Sequence, residues 1–170
     1  ITSGLTAGTT YTFTVTATSA AGASAASTAT AAVVPATVPA APTNLTAANV
    51  TGIANGASPQ VRVTWTASSA GGSPVTGYTV TASPGGATCT TAGTSCTVTS
   101  GLTAGTAYTF TVTATNAAGT SLPSTAAATP STVPGAPTTV VATSNANAQS
   151  LVSWTAPASN GGSAISGYTV

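Results

Sequence analysis

GLTAGTAYTFTVTATNAAGT, residues 101–120, alternates from Tyr108 onward: Tyr108, Phe110, Val112 and Ala114 fall on one side and Thr109, Thr111, Thr113 and Thr115 on the other. A period of two belongs to a strand with one buried and one wet face. Nearly the same letters, GLTAGTTYTFTVTATSAAGA, run from Gly4 to Ala23. The stretch is therefore part of a repeating unit. Aligning Gly4 with Gly101, Val38 with Val133, Trp65 with Trp154 and Gly71 with Gly161 gives a unit of roughly 90 to 97 residues, the size of a small β domain rather than a solenoid turn.

Working outward, VRVTWTA (61–67) places Val61, Val63 and Trp65 inward and Arg62 and Thr64 outward. Further strands are predicted at 43–48, 75–82, 87–90, 95–99 and 120–128, separated by the turn signals SSAGGSP (68–74), SPGG (83–86), TAGT (91–94) and NAAG (116–119). About seven short strands per unit with no helical period predict an all-β chain and a β-sandwich. Proline collects in VVPATVPAAP (33–42) and ATPSTVPGAP (128–137), which read as short, semi-rigid linkers. One complete unit, 38–130, then lies between two partial ones.

Composition removes most chemistries. The 170 residues hold one Arg and no Lys, Asp, Glu or His, where an ordinary domain is about 25% charged. General acid–base catalysis lacks its titrating groups, and a Ser or Thr nucleophile lacks a base. Calcium, magnesium and zinc lack carboxylate, imidazole or clustered thiolate ligands, so no metal or cofactor is expected. Arg62 alone offers no basic face to nucleic acid. No apolar run approaches the ~18 to 20 residues of a spanning helix. The regular aromatic and β-branched alternation argues against disorder.

The early Pro of PTNLTA, the lone Trp of VTWTA, the GYTV strand and GLTAGTAYTFTVTATNAAG together resemble fibronectin type III domains, especially the uncharged versions strung along bacterial secreted and surface proteins. The resemblance implies an immunoglobulin-like sandwich in tandem: strands E to G of a first domain in 1–34, a complete domain in 38–130, and strands A to C of a third in 134–170. It also implies tyrosine corners at Leu102 with Tyr108 and at Leu5 with Tyr11. Because Ile1 opens inside a unit, the chain is expected to be a fragment or processed product. The partial units would be completed either by flanking sequence in a longer array or, in trans, by a neighbouring copy.

Cys89 and Cys96 flank the turn in CTTAGTSC and can face each other across it. A disulfide there, expected in an oxidising extracellular setting, would contribute about 2 to 2.5 kcal/mol. Two free thiols, or half of a zinc site with no further ligand to complete it, are the alternatives. Alternation places every aromatic, including Trp65, Tyr78, Tyr108, Phe110 and Trp154, on an inward face, as core beside Leu102. No aromatic platform is left for carbohydrate, which has no support here. Arg62 reads as a solvated strand residue. Asn44-Leu45-Thr46 and Asn49-Val50-Thr51 match the glycosylation sequon, a match that chance supplies readily in a Thr-rich chain. SAGGSP lacks the Lys of a phosphate loop and is a turn.

Thr suits a half-exposed pleat, and a surface with so little charge has no repulsion to hold copies apart. These readings converge on a non-catalytic, secreted or cell-surface structural protein: a spacer, stalk or filament block whose partners are neighbouring repeats or copies of itself. The second reading is an adhesion or accessory binding module beside a secreted carbohydrate-active enzyme. An enzyme is not expected.

Overall fold

The computed structural model describes Ile1 and residues 3–170. Among the described residues every regular element is a strand. Residues 43–128 form a two-sheet sandwich. One sheet orders β3 (Thr43–Asn49), β4 (Val61–Thr66) and β7 (Ser95–Val98); the other orders β6 (Thr88–Thr91), β5 (Gly77–Ser83), β8 (Tyr108–Asn116) and β10 (Ser124–Ala128), with the two-residue β9 (Gly119–Thr120) beside the end of β8. All pairings are antiparallel.

Alternation in the sequence becomes the core. Val61, Val63 and Trp65 from β4 face Tyr78, Val80 and Ala82 from β5 and Tyr108, Phe110, Val112 and Ala114 from β8, with Val98 and Leu102 completing the cluster. Arg62 and Thr109 lie outside, exposed. Each fully buried Val or Phe contributes about 1.5–3 kcal/mol relative to exposure, and this is the main stabilising term of a chain almost without ion pairs. The predicted strand at 120–128 is instead two pieces, β9 and β10. Pro123, which cannot donate to a ladder, lies in the break.

Both open seams of the sandwich are closed. At one, Cys89 on β6 is bonded to Cys96 on β7. At the other, the Ser124 hydroxyl donates to Pro42 O and Asn49 Nδ2 donates to Thr129 O at 2.7 Å.

The flanking segments differ from the expected regular strands. In the first, only β1 (Thr18–Ser19), β2 (Gly22–Ala23) and an isolated Tyr11–Val33 bridge form. Residues 24–33 run beside 11–17, but hydroxyls replace half of the ladder. Ser24, Ser27 and Thr30 each accept an amide through the side chain, from Ala17, Val15 and Phe13, and each donates its own backbone N–H to the same residue's carbonyl. Hydroxyl acceptors recurring every third residue thus meet amide donors recurring every second, which a two-residue pleat cannot do. In the last segment β11 (Thr138–Asn145) pairs with β12 (Gln149–Thr155), and no strand forms at 165–170.

Trp154, expected in a core, lies in that last segment. Trp154 is half-buried and Tyr168 is 43% exposed, because β11 and β12 pair only with each other and no second sheet lies over their inner face among the described residues. The local packing is nonetheless repeated. Trp65 and Tyr78 have ring centroids 5.2 Å apart at 54°, and Trp154 and Tyr168 lie 5.2 Å apart at 55°. Tyr11 and Phe13 are likewise half-buried where Tyr108 and Phe110 are buried.

Candidate functional site

The residues that carry recognisable roles are structural ones, beginning with the tyrosines. Tyr108 OH accepts the Thr103 amide at 3.0 Å, and Tyr11 OH accepts the Thr6 amide at 3.0 Å. Each phenol therefore fastens the turn that precedes it, one residue past Leu102 and Leu5. The Thr6 amide also favours the phenolate, holding the Tyr11 pKa below the usual phenol value. A depressed acid adds stability only above its unfolded pKa of about 10 and loses it as the pH falls through the folded value. Neutral and acid solutions are untouched by it.

The Cys89–Cys96 bond spans a Cα–Cα distance of 6.3 Å with both residues half-buried. Reduction is expected to lower the unfolding free energy of the complete unit by about 2 to 2.5 kcal/mol, from the short loop it closes. Urea unfolding with and without reductant reads this directly, and coincident curves would show that the bond contributes nothing.

Two buried polar features were not legible as roles. Asn116, 5% exposed, donates through Nδ2 to Thr37 O at 2.9 Å, Ala70 O at 2.8 Å and Ser73 O at 3.3 Å. Its Oδ1 accepts the amides of Ala118 and Gly119. One side chain thus fastens the linker, the 68–74 turn and its own turn. Its counterpart Ser19 makes only the local turn contacts. The substitution of Asn for Ser between otherwise similar copies was the signal available in the sequence. The second feature is the Trp65 indole N–H, buried without a partner.

The proline-rich stretches are joined by backbone hydrogen bonds to the turns before and after them, and the pattern occurs twice. Gly8 donates to Pro35 O and Gly105 to Pro130 O, both at 2.9 Å. Thr37 donates to Gly71 O at 2.8 Å and Thr132 to Gly161 O at 2.9 Å. Ala40 donates to Ser69 O and Gly135 to Ser159 O. The proline-rich stretches are therefore held against the turns on both sides of them.

The outer face of the larger sheet is a lattice of hydroxyls. Thr79 is registered with Thr90 and Thr113, and Thr81 with Thr88 and Thr111, which pairs onward to Thr125. Arg62, between Ala48 and Thr97 on the other sheet, is the one side-chain cation. The sequon asparagines are engaged: Asn44 Nδ2 donates to Thr66 Oγ1 at 3.1 Å, and Asn49 Nδ2 closes the seam to Thr129. Among the described residues no three His, Cys, Asp or Glu gather to hold a metal, and no helix is long and apolar enough to cross a membrane.

A family model described as fibronectin type III domain matches residues 40–130, just over half of the chain. The chain belongs to the fibronectin type III family. Its sandwich order is that of an immunoglobulin-like fold. Among solved structures, this fibronectin type III chain is similar to rat CD45 extracellular domains d3–d4, at 16% identity and TM-score 0.51, covering 75% of this chain and 67% of that one. That likeness extends to the fold. A two-domain fibronectin type III segment of chicken tenascin matches at 26% identity and TM-score 0.44, covering 69% of this chain and 63% of that one. A structure of titin domains matches at 31% identity and TM-score 0.45, covering 56% of this chain and 32% of that one. No curated protein matches. Fibronectin type III domains are typically non-catalytic modules with structural or binding roles.

Proposed function

We propose that this chain is a stretch of tandem fibronectin type III units serving outside the cell as a non-catalytic spacer, stalk or filament component. The observation that carries the reading is the linker geometry: both proline-rich segments are hydrogen-bonded in the same way to the units around them, as a load-transmitting connection requires and a floppy tether does not. The disulfide favours an oxidising compartment. Neighbouring repeats or further copies of the chain are the partners of choice for a Thr-covered surface with one side-chain charge.

The overall dimension and any self-association are expected to ignore solution electrostatics. The maximum dimension from small-angle X-ray scattering should stay constant between about 0.01 and 1 M salt, while the Debye length falls from about 30 to 3 Å. Light scattering should report the same degree of association across that range. Melting temperatures should agree from about pH 4 to 9, because acid unfolding works through carboxylates and imidazoles that the side chains lack. Collapse of the long dimension in dilute buffer, or association that dissolves steeply with salt, would remove the spacer reading.

A further inference from the structure

The two joints share more than hydrogen bonds; they share a steric requirement that no side chain can meet. Gly162 has φ +81°, and a Cβ placed on it would overlap Gly105 N and stand 2.7 Å from Ala104 C and 2.9 Å from Gly105 Cα. At the other joint Gly72, with φ +86°, would in the same way overlap Gly8 N and stand 2.9 Å from Gly8 Cα and from Pro35 O. The contact is reciprocal: a Cβ on Gly105 would meet Gly162 Cα at 3.3 Å, and one on Gly8 would meet Gly72 Cα at 3.3 Å. The preceding glycines lie on the linker. A Cβ on Gly71 would stand 2.8 Å from Val38 O, and one on Gly161 2.7 Å from Val133 O.

Backbone therefore lies directly on backbone, at two places in the chain, with matching distances. We infer that the Gly-Gly turn of each unit, Gly71–Gly72 or Gly161–Gly162, is a dedicated coupling surface whose partner is the Gly8 or Gly105 turn and proline linker of the unit before it. The coupling sets successive units at one repeated angle. The partner it accepts is a unit of the same kind: an outgoing glycine in the turn ahead of the tyrosine strand, and an incoming glycine pair in the turn after the Trp strand. Any Cβ at the central position forces the units apart, so the lock is specific by exclusion. Because all contacting groups are uncharged backbone, the lock is also indifferent to salt. The inference rests on the tandem reading but not on the spacer role.

The test is a distance distribution across the second joint of the whole chain. Spin labels on non-cysteine handles at the exposed Thr88 and Ser150, read by pulsed electron resonance, should give one narrow distance. Gly162→Ala is expected to broaden that distribution at least about twofold or to shift its centre. Gly56→Ala is the control: Gly56 has the same φ of +81° but nothing within 4 Å of its would-be Cβ, so it carries the backbone strain of a left-handed alanine without the clash. It should leave the distribution unchanged. Circular dichroism of both variants reports whether the sandwich persists. An unchanged distribution in Gly162→Ala, equal broadening in Gly56→Ala, or a broad distribution in the unaltered chain each overturns the lock. The spacer role fails by its own measure, collapse of the scattering dimension, which a broadened joint alone does not produce.

Discussion

Phe110→Ala is expected to cost the complete unit about 3–5 kcal/mol, enough to unfold a domain of ordinary marginal stability. Phe110 is fully buried on β8, the strand between β5 and β10. Its registered neighbours are Ala82 and Ala126, whose side chains are too short to lean into the space the ring vacates. The cavity term is therefore retained almost whole, and the loss belongs at the upper end of the range for aromatic truncation. Phe110→Leu, which keeps most of the volume, should lose under about 1.5 kcal/mol. The equivalent Phe13 is only half-buried and should lose a fraction of the Phe110→Ala value. Urea unfolding followed by circular dichroism measures all three. A loss below about 2 kcal/mol for Phe110→Ala would mean that the sheets can close over the gap.

The second large effect lies at Asn116. Asn116→Ala leaves the carbonyls of Thr37, Ala70 and Ser73 and the amides of Ala118 and Gly119 without this partner. At about 1–3 kcal/mol for a buried group left unsatisfied, with water reaching part of the set, the loss is about 2–3 kcal/mol. Asn116→Asp is expected to lose more, with a pH dependence that the unaltered chain lacks. One carboxylate oxygen would keep the Ala118 and Gly119 amides, but burial and the three carbonyls facing the other outweigh them, so its folded pKa rises above the unfolded value of about 3.9. The folded state then binds more protons than the unfolded one, and stability falls as the pH rises from that value through the folded pKa. Melting curves of Asn116→Asp from pH 3 upward should descend over that window. A flat profile would place the side chain in water rather than against the carbonyls.

Period-two alternation located β4, β5 and β8 because each of those strands has one face against the opposite sheet, and burial writes itself into the letters. At Trp154 the same rule gives only a direction. Its inward position is real, but inward burial requires a second sheet, and alternation reports direction rather than cover. The three-residue spacing of Ser24, Ser27 and Thr30 was present in the sequence, yet hydroxyl acceptors carry no hydrophobic signature, so the segment read as an ordinary strand. Asn116 and the Gly72–Gly8 contact were illegible for another reason: their partners lie tens of residues away, and only the fold brings them together. What a small polar side chain or a missing one accomplishes depends on what it meets.

The position of the disulfide has a mechanical consequence. Cys89 and Cys96 bridge two edge strands that are close neighbours in sequence, so the covalent loop withholds only about 20 Å of contour from a chain pulled out under tension, at ~3.3–3.6 Å per extended residue. A unit strained to failure would release nearly its whole length while keeping one sheet edge stitched to the other, ready to guide the strands back when the load is removed.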